Sequence, residues 1–390
     1  MVKVAFIHNR FPSGGAERVT IDIAKYLSQC DGYEVYVYAS RVAEELLPEQ
    51  AAETFVLRQL PLQAVPTKRA QQVEKYVVAD GIDILVQVGK ALAGIEGIKA
   101  RTGVRTIVAC HGEPFWQRYA IVYRRQRGFV RRVMWHLFNK RRYADGGLAM
   151  RKAVERTRRE YESSDAYTVL CQPYKAEVAA GLGISPEENH IYAIENPEYP
   201  VADVNYDKEN IVLFCGRFEN WSKRIDRLLR IWGKVQRQMA DWRLVLVGGG
   251  EDFEKMKSMA EELSLERMSF EGHKKSVAEY YRRASIVALT SETEGWPLAL
   301  SEGQAQGCIG VAFGCTSGVK EVLSPSGECG FIVPAFDEEE YAQQLLRIAA
   351  MSEEERLRIR KQAVEKRAQY SPEKIAEKWR VLFDGLVGKK

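Results

Sequence analysis

The sequence has no run of about 18 apolar residues, so no segment reads as a membrane-spanning helix. Its first strand-like stretch, Met1 to His8, leads straight into a glycine loop and lacks the longer apolar core and small-residue cleavage site of a signal peptide. The seven cysteines (Cys30, Cys110, Cys171, Cys215, Cys308, Cys315 and Cys329) are odd in number, scattered, and never spaced Cys-x-x-Cys. That excludes a zinc-ribbon or dithiol redox site and reads as reduced, buried thiols in a cytoplasmic protein. There is no internal repeat, no low-complexity tract and no Asp-x-Asp metal motif. A net charge of +4 gives no reason to expect a nucleic-acid partner.

What is present is a globular composition, 46% hydrophobic and 28% charged, over 390 residues, more than one core usually organises. Short apolar runs alternate with amphipathic, helix-length segments. Val2 to Ile7, Val35 to Tyr38, Ile82 to Val88 and Thr106 to Cys110 read as strands of the first half. Ile211 to Cys215, Leu244 to Val247, Ile286 to Thr290 and Ile309 to Phe313 repeat the style in the second. Strands apolar on both faces and separated by helices indicate a parallel sheet covered on both sides. The fold class expected is α/β, with two Rossmann-like doubly wound domains facing each other across a cleft. A polar stretch from Asn196 to Asp207 carrying Pro197 and Pro200 is the boundary. The domains are placed at 1–200 and 208–370, with a helix from about 371 to 390 packing back on the first. Ligands of such sheets bind beyond the carboxyl ends of the strands.

Three loops there carry glycine. Gly14 and Gly15 open a helix whose apolar positions Val19, Ile23 and Leu27 recur every four residues, and they allow close approach of an anion to free N–H groups. This is not Gly-x-Gly-x-x-Gly, and no acidic partner follows, which excludes a nicotinamide-dependent dehydrogenase. Gly216-Arg217 and Lys223 leave the strand Ile211 to Cys215, where an arginine fork and a lysine point charge can both reach a diphosphate. Gly248-Gly249-Gly250 follows another strand, where absent side chains would admit a nucleotide. Each of these also reads as a plain turn or a solvated cation.

The segment Ser291 to Gly307 says more. Pro297 suits the first position of a helix and Gly307 the residue past its end. Glu294 and Glu302 lie eight positions apart, and each carboxylate can accept paired hydrogen bonds from vicinal hydroxyls.

The Gly14-Gly15-Ala16-Glu17-Arg18 loop, the Gly216-Arg217 to Lys223 segment and the Glu294–Glu302 spacing together resemble the family 4 glycosyltransferases, retaining enzymes of the GT-B fold, over essentially the whole chain. The resemblance implies transfer of a sugar from a nucleotide diphosphate donor, UDP- or GDP-linked, to a glycan or lipid-linked acceptor, without metal or other cofactor, in cell-surface polysaccharide biosynthesis. It implies Arg217 and Lys223 on the diphosphate, Glu302 on the ribose, and Glu294 on the transferred sugar. Backbone at Gly295, Trp296, Pro297 and Leu298 would face the distal phosphate, and His111 would lie near the anomeric carbon. Where the family commonly has Phe-Gly, this chain reads Trp296-Pro297, which removes one donor N–H. A nucleotide-sugar-binding protein and an epimerase of the same fold are the competing readings.

From Arg118 to Tyr143 there are nine Lys or Arg and no Asp or Glu. Val130, Val133, Met134, Leu137 and Phe138 form one apolar helical face, with Arg131, Arg132, Trp135 and Arg142 opposite. Three readings stay open: packing on its own domain, a groove for a polyanionic acceptor, or docking on an anionic membrane at the inner face through Arg124, Arg125, Arg131 and Arg132. Nucleic acid is not expected, since no binding module surrounds the segment.

Overall fold

The computed structural model describes residues 1–388, apart from positions 13, 49, 50, 63–65, 127, 128 and 146 and the side chains of 124–126, 129, 130, 132 and 145. The chain divides into two compact units, Met1–Pro197 with Pro372–Lys390, and Glu198–Ser371.

The first unit holds seven strands, β1 (Val2–Phe11), β2 (Tyr33–Val42), β3 (Val56–Gln59), β4 (Ile84–Val88), β5 (Arg105–Ala109), β6 (Ala166–Val169) and β7 (Ile191–Ala193), in the order β3-β2-β1-β4-β5-β6-β7. All the pairings are parallel. The two faces of β1 show why it is apolar throughout. Ala5 and Ile7 join Val73 and Val77 of the helix Pro66–Asp80 in one core layer, while Phe6, pointing the other way, meets Phe383 edge-on at 6.4 Å. Phe383 belongs to the helix Pro372–Val387, which returns to this unit and is tied to it by Tyr26 and Tyr33, donating to Glu377 at 3.0 Å and Asp384 at 2.7 Å.

The second unit has β8 (Glu209–Cys215), β9 (Arg243–Val247), β10 (Met268–Gly272), β11 (Ala284–Leu289), β12 (Ile309–Phe313) and β13 (Phe331–Val333), in the order β10-β9-β8-β11-β12-β13, again all parallel. The buried Tyr341 hydroxyl pins two of them, donating to Val311 O at 2.7 Å and accepting from Leu289 N at 3.1 Å. In both sheets the winding reverses beside the first strand, between β1 and β4 and between β8 and β11. The crossovers that leave those strands diverge there, and their carboxyl ends form a crevice.

The polar stretch after Asn196 is not wholly a linker. Glu198 is buried in the second unit, where its carboxylate pairs with Arg367 at 3.1 Å and accepts from Trp296 Nε1 at 3.2 Å. Burial raises the Glu198 carboxyl above the ordinary carboxylate range, and Arg367 opposes the rise. Removing one partner of such a pair strands the other. Arg367→Met is therefore expected to destabilise the second unit by about 3–5 kcal/mol, and Glu198→Gln in the same chain to restore part of that loss. Urea unfolding with amide exchange read over residues 198–371 measures both; a double variant no more stable than the single one would show that the pair carries no coupling.

Candidate functional site

The sequence-derived candidates divide between the units, and those of the second lie beyond β8, β9 and β11. After β8 the chain turns through Gly216 and Arg217 into the short helix Asn220–Lys223. Arg224 follows in the left-handed region (φ +48°) and starts the helix Ile225–Val235. This turn is laced to the exit of β11. Thr290 Oγ1 donates to Arg224 O at 3.0 Å, Glu292 N to Ser222 O at 2.7 Å, and the Glu292 carboxylate holds Arg224 and Arg227 at 3.1 and 2.7 Å. The lacing brings together two side chains 71 residues apart: Lys223 Nζ donates to Glu294 Oε1 at 2.7 Å. Ser291 Oγ donates to the same oxygen at 2.6 Å. Glu294 is 8% and Lys223 20% exposed. A charge pair at that depth is positioned by its surroundings rather than by solvent.

Glu302 lies in the helix Leu298–Ala305 and accepts from the buried Tyr281 hydroxyl at 3.2 Å. Arg217 stands apart. Its guanidinium is 75% exposed and pairs with Glu219 at 3.1 Å.

Two of the backbone readings take a more specific form. At Gly248 (φ +135°) a Cβ would lie 1.8 Å from Gly216 O, and at Gly250 (φ +157°) 2.7 Å from Phe218 O. What those glycines admit is the chain's own Gly216–Phe218 segment, strapped on by Gly216 N to Val247 O at 3.0 Å and Phe218 N to Gly249 O at 2.9 Å. The backbone offering at Gly295 to Leu298 is also narrower than expected. Pro297 is the residue before the helix and has no N–H, and Leu298 N already donates to Trp296 O at 2.9 Å. Trp296 is 5% exposed, its ring against Tyr370 at 5.7 Å and its indole N–H on Glu198, so its side chain serves the core.

In the first unit Gly14 precedes the helix Gly15–Leu27, and Gly15 opens it. His111, after β5, hydrogen-bonds through Nδ1 to Asn196 Oδ1 at 3.2 Å. Burial brings its pKa down to about 4, a fall partly opposed by Asn196, so the ring is neutral at pH 7. Beside it lies a histidine the sequence did not flag. His8 in β1 is 2% exposed, its Nε2 is 2.9 Å from Thr20 Oγ1, and burial, with the charges of His111 and Arg69, lowers its pKa to about 3.

The basic segment departs from the expected single α-helix. After the helices Gln117–Gln126 and Phe129–Met134 the chain winds in π turns over Trp135–Asn139 and Arg141–Asp145. An i→i+5 winding resets which side chains face inward. Trp135, expected among the cations, is buried at 3%, whereas Val133, Met134, Leu137 and Phe138 are exposed at 41, 46, 67 and 65%. Those four residues of the expected apolar face are thus exposed, and the side chain of the fifth, Val130, lies outside the described residues. Arg131, Lys140, Arg141 and Arg142 are exposed, and the side chains of Arg124, Arg125 and Arg132 lie outside the described residues.

Two parallel sheets of this topology, each with candidate groups beyond the carboxyl ends of its central strands, define a two-unit protein of the GT-B glycosyltransferase class. Residues 13–197 match the family model Glycosyltransferase Family 4 and residues 196–366 the model Glycosyl transferases group 1. The first unit thus carries a Family 4 domain and the second a group 1 domain. It is 35% identical over 186 residues to the amylovoran biosynthesis glycosyltransferase AmsD of Erwinia amylovora, a match covering 47% of this chain and 50% of AmsD. It is 22% identical over 358 residues, 88% of either chain, to a Campylobacter jejuni N-acetyl-D-galactosaminyltransferase named for an undecaprenol-linked glycan. The chain spans about half the length of the curated relatives that it matches at 30% identity or more. Among solved structures, HepE of Anabaena in complex with UDP-glucose superposes with a TM-score of 0.74 at 16% identity over 99% of this chain and all of the other. No helix of the described residues is long and apolar enough to cross a membrane.

The neutral His8 has a pH signature. An unfolded histidine takes up its proton near pH 6.5, whereas the folded one does so only near 3, so the unfolded state binds more protons in between. Stability is complete above pH 6.5 and falls as pH drops toward 3, by about 1.4 kcal/mol per unit at full slope. His8→Asn is expected to flatten this slope by about one proton. Urea midpoints between pH 7 and 4 read the difference, and an unchanged slope would mean that His8 is not held neutral.

Proposed function

We propose that the chain is a retaining glycosyltransferase. It takes the sugar of a nucleotide diphosphate donor in the second unit and passes it to a glycan or lipid-linked acceptor bound by the first, in the synthesis of a cell-surface polysaccharide. The observation that carries this reading is the Lys223–Glu294 pair at the reversal point of the second sheet, with Glu302 one helix further on. Lys223 and Arg217 neutralise the diphosphate as it leaves, Glu302 accepts from the ribose hydroxyls, and Glu294, held by Lys223 and Ser291, accepts from the hydroxyls of the transferred sugar. Fixed cations aimed at a departing phosphate stabilise the transition state more than the ground state. As the sugar–phosphate C–O bond breaks, the acceptor oxygen bonds to the anomeric carbon on the face the phosphate vacates. The phosphate oxygen takes the acceptor's proton. His111, neutral at pH 7, contributes a hydrogen bond near the anomeric carbon rather than a charge. Gly14 and Gly15 keep side chains clear of the ligand. Neither a metal nor another cofactor is assigned a part.

The HepE complex, which holds UDP-glucose in a similar fold, supports a nucleotide-sugar donor, and the name of the Campylobacter relative supports a lipid-linked acceptor. The exposed apolar residues Val133, Met134, Leu137 and Phe138 among exposed cations favour an anionic membrane surface for the basic segment, with the protein peripheral at the cytoplasmic face.

Lys223→Ala is expected to lower turnover about 10²- to 10³-fold, in assays run with excess chelator, the order seen when one preorganised charge-stabilising group is removed. Glu302→Ala should weaken binding of UDP or GDP in calorimetry, while Glu294→Ala leaves nucleotide affinity intact and impairs transfer. Wild-type turnover in the lysine variant at saturating donor would remove the diphosphate role.

Vesicles containing anionic lipid are expected to bind the protein, and to release it as salt rises from about 0.05 to 0.5 M, where screening shortens the reach of each charge. Substituting Arg124, Arg125, Arg131 and Arg132 with Gln, or Leu137 and Phe138 with Ser, should abolish co-sedimentation without changing nucleotide affinity. Equal co-sedimentation of wild type and both variants would remove the membrane from the reading.

A further inference from the structure

The groups assigned to the donor lie where the second sheet reverses its winding. The first sheet repeats that strand order, and the corresponding place is beyond the carboxyl ends of β1 and β4. A cavity of about 160 Å³ occurs there, lined by Ile7 and Asn9 from β1, Gln87 and Val88 from β4, Arg69, and the Lys90–Ala93 loop.

Two of its polar groups are not satisfied in the way buried groups ordinarily are. Gln87 is 1% exposed. Its Oε1 accepts from Leu92 N at 2.6 Å, but its Nε2, a double donor, has no partner among the described residues. Arg69 is 5% exposed and donates to Ser40 Oγ at 2.7 Å, His8 O at 2.9 Å and Asn9 Oδ1 at 3.4 Å. All three acceptors are neutral, and among the described residues no carboxylate lies within 4 Å of the guanidinium. Burial lowers the pKa of Arg69, yet a guanidinium stays protonated. Buried charges are ordinarily paired. The nearby carboxylate, Glu160, is engaged elsewhere, with Arg156 at 3.0 Å and with the amide of Ala91.

A buried cation surrounded by neutral acceptors, next to a bare amide donor, is complementary to an oxyanion. We propose that this cavity is an acceptor subsite that takes an oxyanion carried on the acceptor, a carboxylate or a phosphoryl group, between Gln87 Nε2 and the Arg69 guanidinium. The proposal rests on the reading that the first unit binds the acceptor. Size agrees: at about 160 Å³ the cavity has room for a carboxylate or a phosphoryl group.

Calorimetry on the full chain with sodium glucuronate, inorganic phosphate and glucose tests this. At least one anion should bind and glucose should not, and the anion that answers says whether the group is a carboxylate or a phosphoryl. Gln87→Glu keeps an oxygen to accept from Leu92 N and puts a fixed carboxylate where the ligand's would lie. It should melt no lower than wild type and lose anion affinity about 10- to 100-fold, the scale of one charge-assisted hydrogen bond. Arg69→Gln should lose affinity similarly. No anion binding by wild type, equal binding by Gln87→Glu, or phosphate binding abolished by Lys223→Ala but not by Gln87→Glu, would each overturn the subsite. UDP and GDP titrated into the same proteins keep the two readings separate: nucleotide bound without anion removes only the subsite, and anion bound without nucleotide removes only the donor assignment.

Discussion

A parallel sheet wound to both sides must somewhere send two neighbouring crossovers in opposite directions, and at that one place the ends of adjacent strands are left uncovered. In this chain the constraint acts twice. At the β8–β11 reversal the loop after β8 and the loop after β11 are laced together, and there Lys223 and Glu294 meet from 71 positions apart. The β1–β4 reversal opens the cavity beside Gln87 and Arg69. The side chains differ between the two places, but the backbone geometry that exposes them is shared.

The electrostatic settings of the two crevices are opposite. Around Lys223 charges come in closed sets: Arg224 with Asp226 and Glu292, Arg227 with Glu292, Arg230 with Asp226 and Glu338. Such sets hold the turn in one arrangement, so a ligand there meets a preformed pattern of charge. Around Arg69 the groups within reach are a hydroxyl, an amide and a carbonyl, and the histidine next to it is kept neutral. In that crevice the Arg69 charge is met by neutral acceptors alone.

Much of this was legible in the chain before any coordinates. The central strands β1, β2, β4, β5, β8, β9, β11 and β12 are buried on both faces, so they are written as continuous Val, Ile and Leu runs. Less legible are β3, β10 and β13, which lie at sheet edges, and β6, four residues long and interrupted by Tyr167 and Thr168. Edge strands bury only part of their surface and carry a mixed pattern, Val-Leu-Arg-Gln in β3 and Met-Ser-Phe-Glu-Gly in β10, that no periodicity rule separates from a loop. Among site residues, Glu294 and Glu302 stood out by spacing and Lys223 by its position after a strand. Ser291 was readable too, three positions before Glu294. Tyr281 and Arg69 were not, because each reaches its partners only through the tertiary fold. The basic segment misled for a different reason: its apolar positions fit an α-helical period, but the chain there takes a wider turn, and the inward place falls to Trp135.

The helix Pro372–Val387 supplies Phe383, Trp379 and Leu382 to a core whose sheet is otherwise complete by Ala193. On the ribosome the first unit therefore emerges first yet is finished last. Phe6 and its neighbours wait, without Phe383 and Trp379 against them, through the synthesis of the whole second unit. The order of translation and the order of folding cross in this molecule, and a nascent chain stalled before residue 372 would present to chaperones the face of β1 that the mature protein hides.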